Sequence, residues 1–178
     1  MARTTMSPAP ALPLTGDEAL ARFRELLPAF SSAMLVTQAM DGAEPHARPM
    51  GLVGDATAFD GTLWFFSGDQ SRKIAEIARQ PRTSLILQSD REHAYLHVVG
   101  WAAVDDDKER MRALYSPILR TWFPDGLADS HLTLIRFDVD RAEYWSSPGG
   151  MLQRFGAFTK AVLTGQPGQS GEQGTLEL

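Results

Sequence analysis

The sequence predicts a small β-barrel decorated with single helices, and three observations carry that prediction. Seven short strand-like runs are spread along the chain, turn residues separate most of them, and helical patterns occur singly between them. A doubly wound sheet would need helices alternating with strands throughout, and only residues 61–89 read that way. At 178 residues the chain has room for one domain with a substantial core.

Residues 1–14 are rich in Pro, Ala and Thr without periodicity and read as a flexible arm. Thr15 and Glu18 have capping-box spacing, and Leu20, Phe23, Leu26 and Leu27 follow on one helical face until Pro28 closes the helix. The runs 33–40, 45–53 and 61–67 are separated by Asp41-Gly42 and by a Gly/Asp/Ala-rich stretch, so hairpins are expected there. A helix over 71–80 ends at Pro81 and leads into a strand over 83–89. Residues 94–104 read as a long strand in which Gly100 marks a bulge or barrel bend. Asp105 to Asp107 cap a helix with Met111, Leu114 and Tyr115 on its apolar face, and Pro117 opens a short turn reaching Trp122 and Phe123. The runs 132–139 and 142–147 are expected to pair across a tight turn at Asp140-Arg141. Residues 15–165 thus form the domain, and the Gly/Gln-rich tail 166–178 is expected to be disordered.

Composition narrows the function classes. The net charge of −5 argues against a general nucleic-acid or acidic-membrane binder, so any anion site must be local. With no cysteine, disulfides, thiolate zinc sites and cysteine nucleophiles are excluded. No apolar run has signal-peptide or membrane-span length, which makes the cytoplasm the expected location.

One local feature stands against ordinary helix chemistry. Ser71-Arg72-Lys73 puts two cations in the first turn, facing the positive end of the helix dipole, at roughly 0.3–1 kcal/mol each. Backbone N–H groups, a hydroxyl and two cations at one helix end suit a phosphate. The competing reading is that both side chains turn into water, with Asp69 capping the helix. His46, Arg48 and Met50 share one face of a strand whose Pro49 implies an edge or bulge, and Arg48 offers a second clamp. His93 and His97 lie on an apparent strand, and His46 and His131 are isolated, so no metal site is expected. Neither a dinucleotide fingerprint, a P-loop nor a nucleophile elbow is present.

Arg48-Pro49-Met50, Trp64-Phe65-Phe66-Ser67, Ser71-Arg72-Lys73 with Pro81-Arg82, and Val98-Val99-Gly100 occur in that order. Together they resemble the FMN-binding split-barrel superfamily of pyridoxamine 5'-phosphate oxidase. The run "LRTWFPDGLADSHLTLIRFDVDRAEYW" resembles its smaller, general stress protein 26-like branch. The likeness covers about residues 17 to 165. It implies a six-stranded split β-barrel that forms a homodimer, with FMN in clefts between the subunits. By position, Arg72 and Lys73 would hold the FMN phosphate, aided by Arg48 and the Ser71 hydroxyl. The strand from Arg48 through Pro49 to Met50, with Phe66 and Ser67, would line the isoalloxazine, and Trp145 would approach it from the partner chain. Tyr95 departs from the Gln of the oxidases, and their C-terminal Arg-x-His is missing, which argues against pyridoxamine 5'-phosphate oxidase activity.

The expected function is that of a stress-related FMN flavoprotein, with FAD as an alternative cofactor, acting as a flavin-dependent oxidoreductase of unassigned catalytic residues. A flavin-sequestering protein without turnover and a deazaflavin-dependent reductase on the same barrel are the other readings. A haem-binding split barrel has no convincing axial ligand in its support.

Overall fold

In this computed structural model, residues 12–146 and 172–178 are described. Strand β1 (Leu14–Thr15) leads into helix α1 (Gly16–Leu26). Asp17 and Glu18 lie in its first turn, where carboxylates favour the dipole, but Thr15 makes no side-chain capping bond, so the expected capping box is not used. Ala19, Phe23 and Leu26 form the buried face, and Phe23 stacks on Phe59 with ring centroids 4.4 Å apart. Pro28 sits in the short 3₁₀ turn Leu27–Ala29 that ends the helical segment.

Strands β2 (Ser32–Gln38) and β3 (Pro45–Gly51) form the expected hairpin, in register from Ser32 opposite Gly51 to Gln38 opposite Pro45. β3 ends the strand order, which is where Pro49 can sit without breaking a ladder on both sides. A second hairpin, between 45–53 and 61–67, does not form. Strand β4 (Thr62–Gly68) meets the end of β3 only through the single bridge Val53–Trp64. The intervening loop, with a 3₁₀ turn at Ala56–Ala58 begun by Asp55, carries β4 to the first half of β7 (Leu132–Ser146) instead.

Helix α2 (Arg72–Arg79) and strands β5 (Arg82–Ser89) and β6 (Ala94–Asp105) follow, close to expectation. Helix α3 (Lys108–Leu114) is capped by the Asp107 side chain, which accepts from the amides of Glu109 and Arg110. β7 is one strand of 15 residues, where two strands joined by a turn were expected. Val99 pairs with Arg141 and Gly100 with Val139, so Asp140 is an extra residue on β7, a bulge where the turn was read. Gly100 permits it: a Cβ there would stand 2.7 Å from Phe137 Cε1 and overlap the Asp138 carbonyl oxygen.

The expected disordered tail is also corrected. Residues Glu172–Glu177 form strand β8, antiparallel to β7 and parallel to β1, and Leu176 is fully buried. Burying such a side chain yields roughly 1.5–3 kcal/mol. The Arg22 guanidinium donates to Glu172 at 2.8 Å and the Tyr144 hydroxyl donates to it at 3.0 Å, which fastens the strand to α1 and β7. The remaining tail positions 166–171 and the arm 1–11 lie outside the described residues.

The described chain is therefore mainly β with a few helices, in one eight-stranded sheet against the six strands that the resemblance implied. Its order is β1-β8-β7-β6-β5-β2-β3, with β4 added on β7, and the sheet stays open between β3 and β4 apart from the one bridge. The main core lies inside this curve, around Phe23, Leu35, Phe65, Leu85 and Phe137. A second, smaller core of Phe66, Met111, Leu119, Leu132 and Leu134 lies across β4. No described helix is long and apolar enough to cross a membrane.

Candidate functional site

The site is built where β4 turns into α2. Gly68 ends the strand, its carbonyl accepts from the Ser71 amide at 3.1 Å, and Ser71 takes the N-cap position in extended backbone. Its hydroxyl does not cap the helix; it accepts from the Lys73 ammonium at 3.0 Å. Ser67 accepts from the same ammonium at 3.0 Å, and the two hydroxyl oxygens lie 3.2 Å apart. Asp69, which could have capped the helix and repelled an anion, turns away to His131 Nδ1 at 3.1 Å. The helix end thus keeps its positive character: the Ile74 amide donates to the Ser71 carbonyl at 3.0 Å, and by helix geometry the amides of Arg72 and Lys73 have no intrahelical acceptor.

Arg72 is exposed and Lys73 half-buried, and among the described residues neither has a carboxylate partner within salt-bridge distance. Burial pushes the Lys73 ammonium below its ordinary pKa, and the Arg48 charge adds to that shift while Glu76 opposes it. An anion would relieve both strains at once.

Arg48, Ser71, Arg72 and Lys73, all expected at a phosphate, line one cleft of about 490 Å³, with His46 and Pro45 on its β3 side. Ser67 joins them through Lys73. The other expected residues are placed differently. Phe66 packs in the second core, edge-on to Tyr115, and Met50 is buried in the main core, so only their backbones remain for a ligand. Pro49 faces outward opposite Met34. Trp145 stands on the outer face of β7 beside Tyr95, 43% exposed, apart from the cleft.

Sequence reasoning missed Glu76. Its side chain is fully buried beneath the cleft, where it accepts from Arg48 at 2.8 Å, from Thr37 Oγ1 at 2.6 Å, and meets His46 Nδ1 at 2.6 Å. Arg48 also donates to Thr37. His46 is therefore not isolated. Burial pushes the Glu76 carboxyl up, but the bonds from Thr37, His46 and Arg48, with the Arg48 charge, outweigh it and hold the pKa below the ordinary carboxylate range. A signal existed: Glu76 lies three and four residues after Lys73 and Arg72, next to buried Ile77, on the inward face of the helix.

A smaller cleft of about 290 Å³ at the seam between β3 and β4 is lined by Phe30, Leu52, Phe59 and Trp64 among others, and shares no residue with the cationic one. Among the described residues no group of three His, Cys, Asp or Glu side chains is arranged to hold a metal ion.

Comparison with known proteins agrees with this architecture. General stress protein 26 of Bacillus subtilis (strain 168) is 27% identical over 100 residues, which is 54% of this chain and 68% of that protein. The structure of the general stress FMN/FAD binding protein from Xanthomonas citri is 26% identical and superposes with a TM-score of 0.62, covering 76% of this chain and 94% of its own. A general stress protein 26 candidate from Jannaschia sp. CCS1, 23% identical, shares the fold with a TM-score of 0.75 over 90% of this chain and 98% of its own. The model of the family described as "Pyridoxamine 5'-phosphate oxidase like" matches residues 18–168. The chain belongs to the pyridoxamine 5'-phosphate oxidase-like family.

Proposed function

We infer that the chain is a flavoprotein that holds FMN with its phosphate in the cleft at the start of α2. It would work in the cytoplasm as a flavin-dependent oxidoreductase related to the general stress proteins. One observation carries the reading: two cations without carboxylate partners among the described residues, the Ser71 hydroxyl and the open amides of a helix start line one cleft, with Ser67 joined to them through Lys73. These groups fit a phosphate dianion, because Arg72 and Lys73 supply charge, Ser67 and Ser71 supply hydroxyls, and the dipole adds to both. Arg48 is tied to Glu76 and Thr37, so it would act as a fixed wall of the cleft more than as a free clamp.

When bound, the flavin would supply the electron-transfer chemistry, and the protein binding, orientation and electrostatics. The backbone of Arg48 through Met50, beside Ser67 and Phe66, would border the ring. The similar protein from Xanthomonas citri is named for FMN and FAD binding, which supports a flavin here and leaves FAD as the larger alternative.

A homodimer belongs to the same proposal. Met34, Ile86, Tyr95, Trp101 and Trp145 are 37–49% exposed on the outer face of the sheet, and Met34 and Ile86 are direct cross-strand neighbours. A symmetric partner covering this face would bring Trp145 towards the other subunit's flavin. The purified protein should show flavin absorption, and mass analysis of what denaturation releases should give FMN. A colourless preparation that leaves added FMN fluorescence unchanged at micromolar concentrations would refute the proposal.

A further inference from the structure

His46 shares the cationic cleft with Arg72 and Lys73, and its side chain is 35% exposed. It also lines a second cleft, of about 570 Å³, at the tip of the β2–β3 hairpin, so its ring borders open space on both sides. Glu76 holds the ring in place. This wholly buried carboxylate meets His46 Nδ1 at 2.6 Å through Oε1, while its Oε2 accepts from Thr37 and Arg48. Those two bonds and the Arg48 charge keep Glu76 ionised, with its pKa below the ordinary carboxylate range. An ionised carboxylate has no hydrogen to give, so the hydrogen of this bond belongs to Nδ1. The other ring nitrogen, Nε2, makes no hydrogen bond among the described residues and is left for the clefts.

We propose that His46 is a further ligand of the flavin phosphate, donating from Nε2–H as an imidazolium, so that phosphate binding takes up a proton at this ring. The inference rests on the flavin phosphate lying at the start of α2, as proposed above. The fixed Nδ1 hydrogen leaves no other solution. A neutral ring with that hydrogen presents a lone pair at Nε2, and a phosphate oxygen would bring another against it. Moving the hydrogen to Nε2 would instead set the Nδ1 lone pair against the Glu76 carboxylate at 2.6 Å. Only a ring carrying both hydrogens satisfies carboxylate and phosphate together. The surrounding charges act in the same direction. Arg48 on β3, with Arg72 and Lys73 on α2, opposes a further positive charge when no anion is bound. A phosphate dianion reverses that balance, while Glu76 on α2 and Asp41 and Glu44 at the hairpin tip favour the imidazolium throughout. Histidine changes charge near neutral pH, so FMN affinity should fall as pH rises above neutrality and the required proton becomes scarce.

The test is calorimetry of FMN and riboflavin binding to the full-length protein, between about pH 7 and about pH 8.5. Two buffers of different ionisation enthalpy at each pH give the number of protons exchanged. A phosphate monoester completes its own ionisation near pH of about 6, so FMN stays a dianion over this range. Wild type should take up protons with FMN and none with riboflavin. Its FMN affinity should fall about tenfold across the range, since one linked proton is worth up to about tenfold per pH unit. In His46→Gln, whose amide can donate without gaining a charge, the uptake should vanish and FMN affinity should vary by less than about twofold. Lys73→Arg keeps a cation that does not titrate there, and should retain the uptake. Riboflavin affinity close to that of wild type shows in the same experiment that a variant is folded. His46→Asn, which keeps a donor for Glu76, takes the place of His46→Gln if that variant fails this check. FMN binding tighter than riboflavin binding but without proton uptake overturns the role of His46 and leaves the phosphate placement standing, as does uptake that persists in His46→Gln. Uptake lost in Lys73→Arg assigns the proton to the lysine and overturns it too. If wild type binds FMN and riboflavin equally, or binds neither, the phosphate placement falls together with this inference.

Discussion

Glu76 on α2 and Arg48 on β3 form an ion pair at 2.8 Å with the carboxylate wholly removed from solvent. The pair ties the cationic helix start to the strand that forms the opposite wall of the cleft, and Thr37 and His46 complete the bonds to the carboxylate. It also divides the positive charges by task. Arg48 is paired with Glu76, whereas Arg72 and Lys73 have no carboxylate partner within salt-bridge distance among the described residues.

Removing one partner of this pair should be costly. Glu76→Ala leaves a half-buried Arg48 unpaired, and urea denaturation should register a loss of about 3–5 kcal/mol. The double substitution Arg48→Met with Glu76→Leu should recover most of that loss, since a packed apolar pair avoids desolvating two charges. A single variant as stable as wild type would mean that the pair contributes nothing net to stability.

The same carboxylate should make stability depend on acidity. Because the folded-state pKa lies below that of an ordinary Glu, about 4.3, folding is favoured by the ionised form. That contribution is fully present above the ordinary value and disappears as pH falls through the lower folded value. Urea midpoints measured from neutral to acid pH should fall through that window, and Glu76→Gln should show a flatter curve. An unchanged slope in the variant would assign the acid sensitivity to other groups.

Arg72→Ala should weaken FMN binding by roughly 1.5–3 kcal/mol, the range for a hydrogen bond to a charged group. That corresponds to about ten- to hundredfold in dissociation constant. Riboflavin, which lacks the phosphate, should bind wild type more weakly and be nearly insensitive to the change. Stability without flavin should stay level or rise slightly, because a cation leaves the positive end of a helix. Equal losses for both ligands would make Arg72 part of the ring pocket.

Ile86→Arg should separate the proposed dimer. Ile86 is 49% exposed on the outer face, opposite Met34 and His97, so a single chain should tolerate the charge there. Light scattering should show wild type at twice the chain mass and the variant at the single mass, with flavin affinity reduced. A wild-type monomer that binds flavin fully would remove the partner from the site.

The strands, their order along the chain and the cationic helix start were legible in the residues, because each rests on local chemistry. Period-two alternation marks a half-buried strand, proline halts α1 and α2, and two cations in a first turn stand out against the dipole. The same local logic explains its errors. Asp140-Arg141 has turn chemistry, and only the pairing of β6 on one side and of β4 and β8 on the other keeps β7 continuous and turns that chemistry into a bulge. The tail is polar by composition, yet Leu176 finds a closed apolar site that exists only once β7 and α1 are in place. β4 pairs with a strand some seventy residues later, a choice that no neighbouring residue encodes. Glu76 reads as one more solvated helix carboxylate until the fold sets it under Arg48, Thr37 and His46. The sequence by itself determined most of the interior strand segments and where positive charge would gather at a helix start. Tertiary structure decided which strands meet and which cations remain without a counter-charge, because pairing and burial depend on residues that are distant in the chain.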